Sequence, residues 1–305
     1  MSRITFLDNA AEGKNNWWRY LITIILTWGT PVVILTIIFF ILSRFNPIKL
    51  LSLLSQPISL IVLVGISDIL SLIFLYIGVR YIHERKFISL VNADSKFSWS
   101  RILKGGVIWF GILTLGLIIT LLLNLTDLNV TFNSQPFITL LIISLIVFPI
   151  QASFEELFFR GYLMQGIGLT SKYPIVPLIT TSIIFALLHF PNGANTLTSV
   201  DIVIQALIIG LTLGIITLGE NRLETAMGVH IANNIFVALI VNTPNGGLGN
   251  IPSIITDNSP PNILSDVPII ALYAIILLAI IFWGKKENII RIFKSNTNNS
   301  TELIK

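Results

Sequence analysis

The sequence predicts an all-α membrane protein, a polytopic bundle of about eight transmembrane helices with both termini in the cytoplasm. Of its 305 residues, 54% are hydrophobic and only 11% are charged, whereas about 25% of the residues of a soluble domain are charged. The apolar residues occur in long runs, and one membrane-spanning helix needs about 20 of them. Basic residues flank these runs, so the net charge of +4 reflects membrane topology and does not indicate nucleic-acid binding.

The apolar runs divide the chain into eight predicted spans. A polar segment over residues 1–18 leads into an aromatic and basic cluster at residues 17–20, which is typical of a membrane interface. The predicted spans cover residues 20–42, 58–82, 105–123, 137–163, 175–190, 201–218, 223–241 and 267–283. Residues 124–135 form a polar loop, and residues 242–266 are rich in Gly, Pro and Asn without a helical period. In the fourth span, Pro149 predicts a kink six residues before Glu155.

The distribution of Lys and Arg predicts the orientation. With eight spans both termini lie on one side, and 17 of the 19 Lys and Arg residues fall on that side, leaving only Arg44 and Lys49 on the other. Because cytoplasmic loops are the positively charged ones, we expect both termini in the cytoplasm and the chain in a bacterial cytoplasmic membrane. The absence of cysteine excludes disulfides, thiolate metal sites and cysteine nucleophiles.

Three charged side chains stand inside the fourth apolar run, in the stretch of residues 154–161. An ionised side chain at the centre of a bilayer costs roughly 3 kcal/mol, so Glu155, Glu156 and Arg160 are expected to face the protein interior. Glu156 and Arg160 are four residues apart on one helix face and can form an ion pair. Glu155 points about 100° away from Glu156 on a helix, so the two carboxylates are predicted to have different roles.

Two histidines also stand in apolar spans. His189 shares a face of the fifth span with Phe185, and His230 shares a face of the seventh with Asn234, at a spacing of four residues in each case. Polar groups in hydrocarbon turn inward, so we expect spans four, five and seven to form one water-accessible site in which a carboxylate and an imidazole act as general base. Asp68 in the second span is expected to be a hydrogen-bonded interior or interface residue.

These patterns resemble a known family. Glu-Glu-x-x-x-Arg at Glu155, Phe-x-x-x-His ending at His189 and His-x-x-x-Asn from His230 to Asn234 are similar to the motifs of the CPBP intramembrane endopeptidases (CAAX protease and bacteriocin-processing, or abortive-infection, family). The resemblance covers residues 137–242, which we interpret as the catalytic core. Residues 1–136 are then an N-terminal segment with three spans, and residues 243–305 are a loop, the last span and a polar cytoplasmic tail.

The resemblance implies a role for each matching residue. Glu155 matches the glutamate that activates water, and His189 matches the histidine that works with it. His230 and Asn234 match the pair that stabilises the oxyanion, with Asn233 as an alternative amide, whereas Glu156 and Arg160 match an acid and base that position the site. The cofactor stays open, because Glu155, His189 and His230 could ligate Zn²⁺ or could act without a metal.

One geometric expectation concerns depth. If the fourth helix ended at Leu163, Glu155 would lie about 12 Å from that end, whereas His189 would lie about 21 Å from the start of the fifth helix at Ile175. We therefore expect the fourth helix to be long and tilted and to continue through Gly168, with Gln165 still helical.

The resulting hypothesis is an intramembrane endopeptidase whose site opens to the cytoplasm. Its partners would be membrane lipid and a peptide or membrane protein, with no nucleic acid, and candidate substrates are a lipid-modified C-terminus, a leader peptide or a membrane-anchored protein. A proton-coupled transporter using the same buried groups is an alternative, although the chain shows neither repeated halves nor paired broken helices. A non-catalytic immunity or scaffold protein is the other alternative, and its partner binding would survive substitution of Glu155 and His189.

Overall fold

The computed structural model describes residues 5–92, 94, 96–123 and 127–295, and these form a helical membrane bundle. Seven helices of this described part are long and apolar enough to cross a membrane. In chain order the helices are α1 (Trp17–Phe45), α2 (Pro47–Leu54), α3 (Pro57–Ile82), α4 (Trp99–Leu123), α5 (Ser134–Gly168), α6 (Ile175–Leu187), α7 (Thr196–Glu220), α8 (Glu224–Leu239), α9 (Ile263–Ile281) and α10 (Lys286–Ile290).

The predicted helical bundle is confirmed, and each predicted span has a helix. The span predicted over residues 223–241 is the shorter helix α8, which has 16 residues and is buried along most of its length. The division into three segments and the orientation of the termini stay predictions. Residues 1–4 of the polar N-terminal segment, residues 124–126 of the predicted loop and residues 296–305 of the tail lie outside the described residues.

Short polar and proline signals start the helices. Pro47 and Pro57 stand in the first turns of α2 and α3, where the missing N–H group is no loss. The side chains of Asn195 and Asn262 accept hydrogen bonds from backbone N–H groups of the first turns of α7 and α9. Exposed leucines, isoleucines and valines cover the outer faces of the long helices, as expected for surfaces that contact lipid acyl chains.

Helix α5 carries the predicted acidic motif and is the longest of the bundle. It accommodates Pro149 within the helix and widens into a π-helical turn over Leu157–Leu163, immediately after Glu156. It then continues to Gly168 with Gln165 helical, so the expected continuation is confirmed. Glu155 therefore lies about 20 Å from the end of α5 at 1.5 Å per residue, similar to the depth expected for His189.

Helix α8, which carries His230, packs against α4 at unusually short range. A Cβ atom on Gly228 would lie 1.9 Å from the carbonyl oxygen of Ile102, and one on Gly105 would lie 2.2 Å from that of Thr225. Only glycine permits this approach of two helix backbones. The contact therefore fixes the position of α8 just before His230.

A small sheet, which the sequence does not predict, joins the loops at one end of the bundle. Strands β1 (Leu128–Val130), β2 (Val241–Asn242) and β3 (Ile255–Asp257) lie in the order β1-β3-β2, with β1 antiparallel and β2 parallel to β3. Two or three residues are too few to show an alternating pattern, so the predicted loops contain strands that periodicity cannot find.

The bundle therefore has two distinguishable ends. The strand end contains the sheet and the loops 46–56, 124–133, 188–195 and 240–262 in so far as they are described. The terminal end contains residues 5–16, the connections 83–98, 169–174 and 221–223, and residues 282–295. Hydrogen bonds from the backbone of Thr5 to Asn221 and from the Asn9 side chain to Ser89 join the segments of the terminal end.

Candidate active site

The centre of the site is an ion pair on α5. Glu156 and Arg160 are both fully buried, and Arg160 Nη1 donates to Glu156 Oε1 at 2.6 Å. Arg160 Nη2 donates to the carbonyl oxygen of Gly210 on α7 at 3.1 Å. The pair thus forms as the spacing predicts, and its cation also ties α5 to α7.

His230 on α8 connects the two glutamates. Its Nδ1 lies 2.8 Å from Glu156 Oε1, and its Nε2 lies 3.6 Å from Glu155 Oε2. Because an ionised carboxylate can only accept, the short contact places a proton on Nδ1 and fixes the orientation of the ring. Four of the predicted site residues therefore meet: Glu155, Glu156, Arg160 and His230.

Phe185 explains why an aromatic residue precedes His189 by one helical turn. Its ring lies 4.5 Å from the Arg160 guanidinium, 4.6 Å from the His189 ring and 5.8 Å from the His230 ring. The Arg160 contact is a cation–π interaction, which is stronger in a desolvated site. Phe185 therefore separates the two imidazoles and positions both.

His189 faces the same space from α6 without touching Glu155. Its Nδ1 is 2.8 Å from the carbonyl oxygen of Phe185, which only accepts, so the proton of the neutral ring lies on Nδ1 and the Nε2 lone pair is free. No hydrogen bond or ion pair joins His189 to Glu155, two residues that the structure describes. The structure thus brings His230, rather than His189, into contact with Glu155.

The two amides after His230 have different surroundings. Asn233 is fully engaged, because its Oδ1 accepts from Trp109 Nε1 at 3.2 Å and its Nδ2 donates to Asn234 Oδ1 at 3.3 Å. The Asn234 Nδ2 group makes no hydrogen bond to the part of the chain that is described. Asn234, the residue predicted from the spacing, therefore keeps its amide donors for a bound molecule.

A large cavity reaches the imidazole and amide groups of the site, whereas Glu155 is not among its lining residues. It has a volume of about 1360 Å³, and His189, His230, Asn233 and Asn234 line it together with Phe185. Every described loop along its wall belongs to the strand end: residues 127–128, 191–194, 241–249 and 257–262. This cavity therefore reaches the strand end of the bundle. The expected opening of the site to the cytoplasm stays a prediction, because the orientation of the termini does too.

Several buried atoms of the site have no hydrogen-bond partner among the described residues. They are Oε2 of both Glu155 and Glu156, and Nε of Arg160. Oδ2 of Asp68 on α3 is also without a partner, so the expected hydrogen bond to this oxygen is not found. The Glu155 carboxylate acts electrostatically on Asp68, so the two acidic groups lie near each other. Unpartnered buried oxygens are costly and recur where a site binds water or substrate.

The residues predicted as zinc ligands do not fit that role. Across residues 5–92, 94, 96–123 and 127–295, no three His, Asp or Glu side chains are arranged to hold a metal ion. Glu155, His189 and His230 therefore do not form a ligand set.

The cavity also includes residues that sequence reasoning missed. Gln151, one turn before Glu155, and the pair Asp201 and Gln205 on α7 line it. Gln205 Nε2 donates to Asp201 Oδ2 at 2.8 Å. The spacing of four residues in both cases is a signal that could have found them, since it places each pair on one helix face.

Comparison with known proteins agrees with this arrangement. Residues 136–236 match the family described as Type II CAAX prenyl endopeptidase Rce1-like. The chain is also 30% identical over 253 residues to the uncharacterized protein YyaK of Bacillus subtilis (strain 168), with 80% of this chain and 85% of that protein covered. The chain belongs to the Rce1-like family. No solved structure matches it.

Membership in the Rce1-like family implies intramembrane protease activity of the CAAX type. The matched residues include all three predicted motifs, from Glu155 through Asn234. The predicted resemblance is thus confirmed, and the chain is an integral membrane protein that works in lipid surroundings.

Proposed function

We propose that the chain is a glutamate-type intramembrane endopeptidase that hydrolyses a peptide bond of a membrane-associated substrate. One observation carries this proposal: Glu155 Oε2 is buried and lacks a partner among the described residues, yet it lies 3.6 Å from His230, which lines the cavity. An unsatisfied carboxylate beside an imidazole can bind and deprotonate water. Because no three His, Asp or Glu side chains of the described residues are arranged to hold a metal ion, the proposed reaction assigns the chemistry to side chains.

In the proposed reaction, Glu155 removes a proton from a water molecule while the oxygen of that water attacks the carbonyl carbon of the substrate. The C–O bond forms, and the electron pair of the C=O bond moves onto the oxygen to give a tetrahedral oxyanion. Collapse of this intermediate breaks the C–N bond, and the proton passes to the leaving amine. His189 is the second group for this transfer, because its free Nε2 faces the cavity and can accept and return a proton.

The oxyanion needs donors that are already in position. The Asn234 Nδ2 group meets this requirement. Asn234 Oδ1 accepts a hydrogen bond from Asn233, and no described residue accepts one from the Asn234 N–H groups. His230 is the second candidate donor, because Glu156 holds its ring through Nδ1 and its Nε2 lies on the side of Glu155. Such a preorganised donor contributes about 3 kcal/mol to transition-state stabilisation.

Glu156 and Arg160 are assigned a positioning role. Their ion pair is closed to solvent, and Glu156 holds the His230 ring through Nδ1. Substitution here should disturb the orientation of His230 without removing the base. We assign the protein to a bacterial cytoplasmic membrane, because the similar protein YyaK comes from Bacillus subtilis.

The test is cleavage of membrane-anchored and free peptides by the purified protein in lipid nanodiscs, read by mass spectrometry. Glu155→Gln removes the base while keeping the shape of the side chain, so the rate should fall about 10³-fold. Glu287→Gln is the matched control, because Glu287 is an exposed glutamate on α10 at the terminal end and should leave the rate unchanged. Wild-type turnover by Glu155→Gln protein with an unchanged melting temperature would refute the proposal.

A further inference from the structure

The cavity is confined to one end of the bundle. Its walls are the strand-end halves of α4, α7 and α8, the adjoining loops and the first half of α9, and no described residue of the terminal end contributes to it. Exposed residues at the strand end, among them Thr243 and Asn258, form its outer rim. A substrate therefore reaches His189 and His230 from the strand end.

The charges of the two ends are opposite. The cavity lining includes four acidic residues, Asp127, Asp201, Asp257 and Asp266, and no Lys or Arg among the residues described. By contrast, 15 Lys and Arg residues fall on the side of the termini when Arg80 and Arg160, which stand within helices, are left out, against two on the other side. Because positive charge concentrates in the cytoplasm, we expect the terminal end to be the cytoplasmic one and the acidic cavity to face the other side.

Asp201 points to a ligand of positive charge. Its side chain is only 5% exposed, yet it lines the cavity. Oδ2 accepts from Gln205, but Oδ1 is buried without a partner in the described part of the chain. A buried carboxylate oxygen in a cavity wall whose described residues include other acidic groups and no Lys or Arg is suited to receive an ammonium or guanidinium group.

The backbone of the cavity wall suits an extended peptide. Both residues of β2, Val241 and Asn242, line the cavity, and so does Leu128 of β1. In the strand order β1-β3-β2 both strands are at an edge of the sheet. An edge strand offers free N–H and C=O groups to which an extended peptide can add as a further strand.

We propose that the cavity admits an extended, cationic peptide segment from the non-cytoplasmic face of the membrane. The substrate class is therefore an exported or membrane-anchored protein whose Lys or Arg side chains lie on that face. The cleavage step rests on the proposed function, whereas the side of entry and the charge preference do not.

The charge preference is tested by binding. Glu155→Gln protein in nanodiscs is titrated with two fluorescent peptides of the same length, one with Lys and one with Glu at alternate positions. The Lys peptide should bind about tenfold more tightly, and Asp201→Asn should remove most of this difference. Glu287→Gln, on the opposite end, should leave it intact. Equal affinity for both peptides, or a full preference in the Asp201→Asn protein, would overturn the proposal.

A second variant guards against misfolding. Asp257 is at the rim and only half-buried, so Asp257→Asn should fold and still weaken the preference. The preference should also decline with added salt, since charge–charge attraction at a solvated rim is screened. A preference that neither Asp257→Asn nor salt reduces would count against the acidic rim as its source.

The side of entry is tested by labelling. The chain contains no cysteine, so single substitutions report one position each. Thr243→Cys places a thiol at the rim and Thr170→Cys places one at the terminal end, and both positions are exposed. An impermeant maleimide added to intact cells should label the Thr243→Cys protein and not the Thr170→Cys protein. After permeabilisation of the cells it should label both. Labelling of Thr170→Cys alone would overturn the inference, whereas a failure of wild-type protein to cleave any peptide would overturn only the proposed function.

Discussion

Helix α5 carries two buried polar clusters that differ in how completely their atoms are hydrogen-bonded. The site cluster comprises Glu155, Glu156, Arg160 and His230. The terminal cluster lies at the terminal end and comprises His83, Arg85, Ser89, Tyr162 and Gln165. Both are almost entirely removed from solvent, and α5 contributes Tyr162 and Gln165 to the terminal cluster only a few residues after Arg160.

The terminal cluster is saturated. His83 bonds the Lys14 carbonyl oxygen through Nδ1 and the Tyr162 hydroxyl through Nε2, each at 2.8 Å. Arg85 donates from Nε to Ser89 Oγ at 2.9 Å and from Nη2 to Gln165 Oε1. None of its five side chains has a buried polar atom without a partner, counted within the described residues.

The site cluster, by contrast, leaves three buried atoms unpartnered in the region that is described, on Glu155, Glu156 and Arg160. Each such atom costs about 1–3 kcal/mol relative to a bonded one. Burial alone therefore does not indicate a reactive group, because both clusters are buried and only the site cluster has unpaired polar atoms among the described residues. The hydrogen bonds of the terminal cluster hold α5 against neighbouring segments. In the site cluster, carboxylate oxygens of Glu155 and Glu156 are left without a hydrogen-bond partner among the described residues.

The largest effect is expected from breaking the ion pair within the site cluster. Glu156→Leu leaves Arg160 buried without its anion and His230 Nδ1 without its acceptor, so the free energy of unfolding should fall by about 3–5 kcal/mol. The double variant Glu156→Leu with Arg160→Leu should be more stable than the single one, because no unpaired charge is left. Thermal unfolding in nanodiscs measures both. Equal stability of the single variant and the wild type would show that the Glu156–Arg160 ion pair does not stabilise the fold.

The next effect separates the two neighbouring amides. Asn234→Ala should lower kcat about 10²-fold with little change in melting temperature, because its unused N–H groups are the ones proposed to bind the oxyanion. Asn233→Ala removes the partner of Trp109 and should act mainly on stability. Peptide cleavage and thermal unfolding of the two variants check this. An equal loss of kcat in both variants would contradict the assignment of the oxyanion donor to Asn234 rather than Asn233.

A moderate effect is expected in the terminal cluster. Arg85→Met removes two hydrogen bonds of a charged donor and should lower the free energy of unfolding by roughly 2–3 kcal/mol. The cleavage rate per folded molecule should be unchanged, since the cluster does not reach the cavity. A reduced kcat in folded Arg85→Met protein would contradict the view that the terminal cluster stabilises the fold and only the site cluster takes part in the reaction.

The smallest effect concerns pH. Burial, together with the nearby Arg85 and Arg19 charges, lowers the pKa of His83 to about 4, against the opposing effect of hydrogen bonds to the Lys14 and Arg19 backbone. The unfolded chain then binds more protons than the folded one between pH 6.5 and 4, so stability should rise with pH in this window. From pH 7 to pH 5 the loss contributed by His83 should be about 1–2 kcal/mol.

His83→Gln tests this titration, because glutamine cannot take up a proton. Its melting temperature should depend less on pH between 5 and 7 than that of the wild type, with the cleavage rate measured in parallel as a control. An unchanged dependence would assign the pH effect to other groups.

The sequence by itself determined the helical bundle and the three motifs. Long apolar runs must become helices in lipid, because only helices satisfy every backbone polar group within one segment. Buried charge is costly in hydrocarbon, so the position of Glu155, His189 and His230 in these runs was enough to predict them as site residues, and this assignment stays a prediction. Spacing within one helix also predicted the Glu156–Arg160 pair and the continuation of α5 through Gly168.

Only the tertiary structure decided which predicted residues meet. Contacts between helices depend on crossing geometry, which a sequence does not state: Gly228 against Ile102 sets α8 so that His230, and not His189, touches Glu155. The side on which the cavity opens, the role of Asp201 in its wall and the short strands at its rim were likewise decided by chain segments far apart in sequence. Periodicity and spacing describe one element at a time, whereas a site is made by the packing of several.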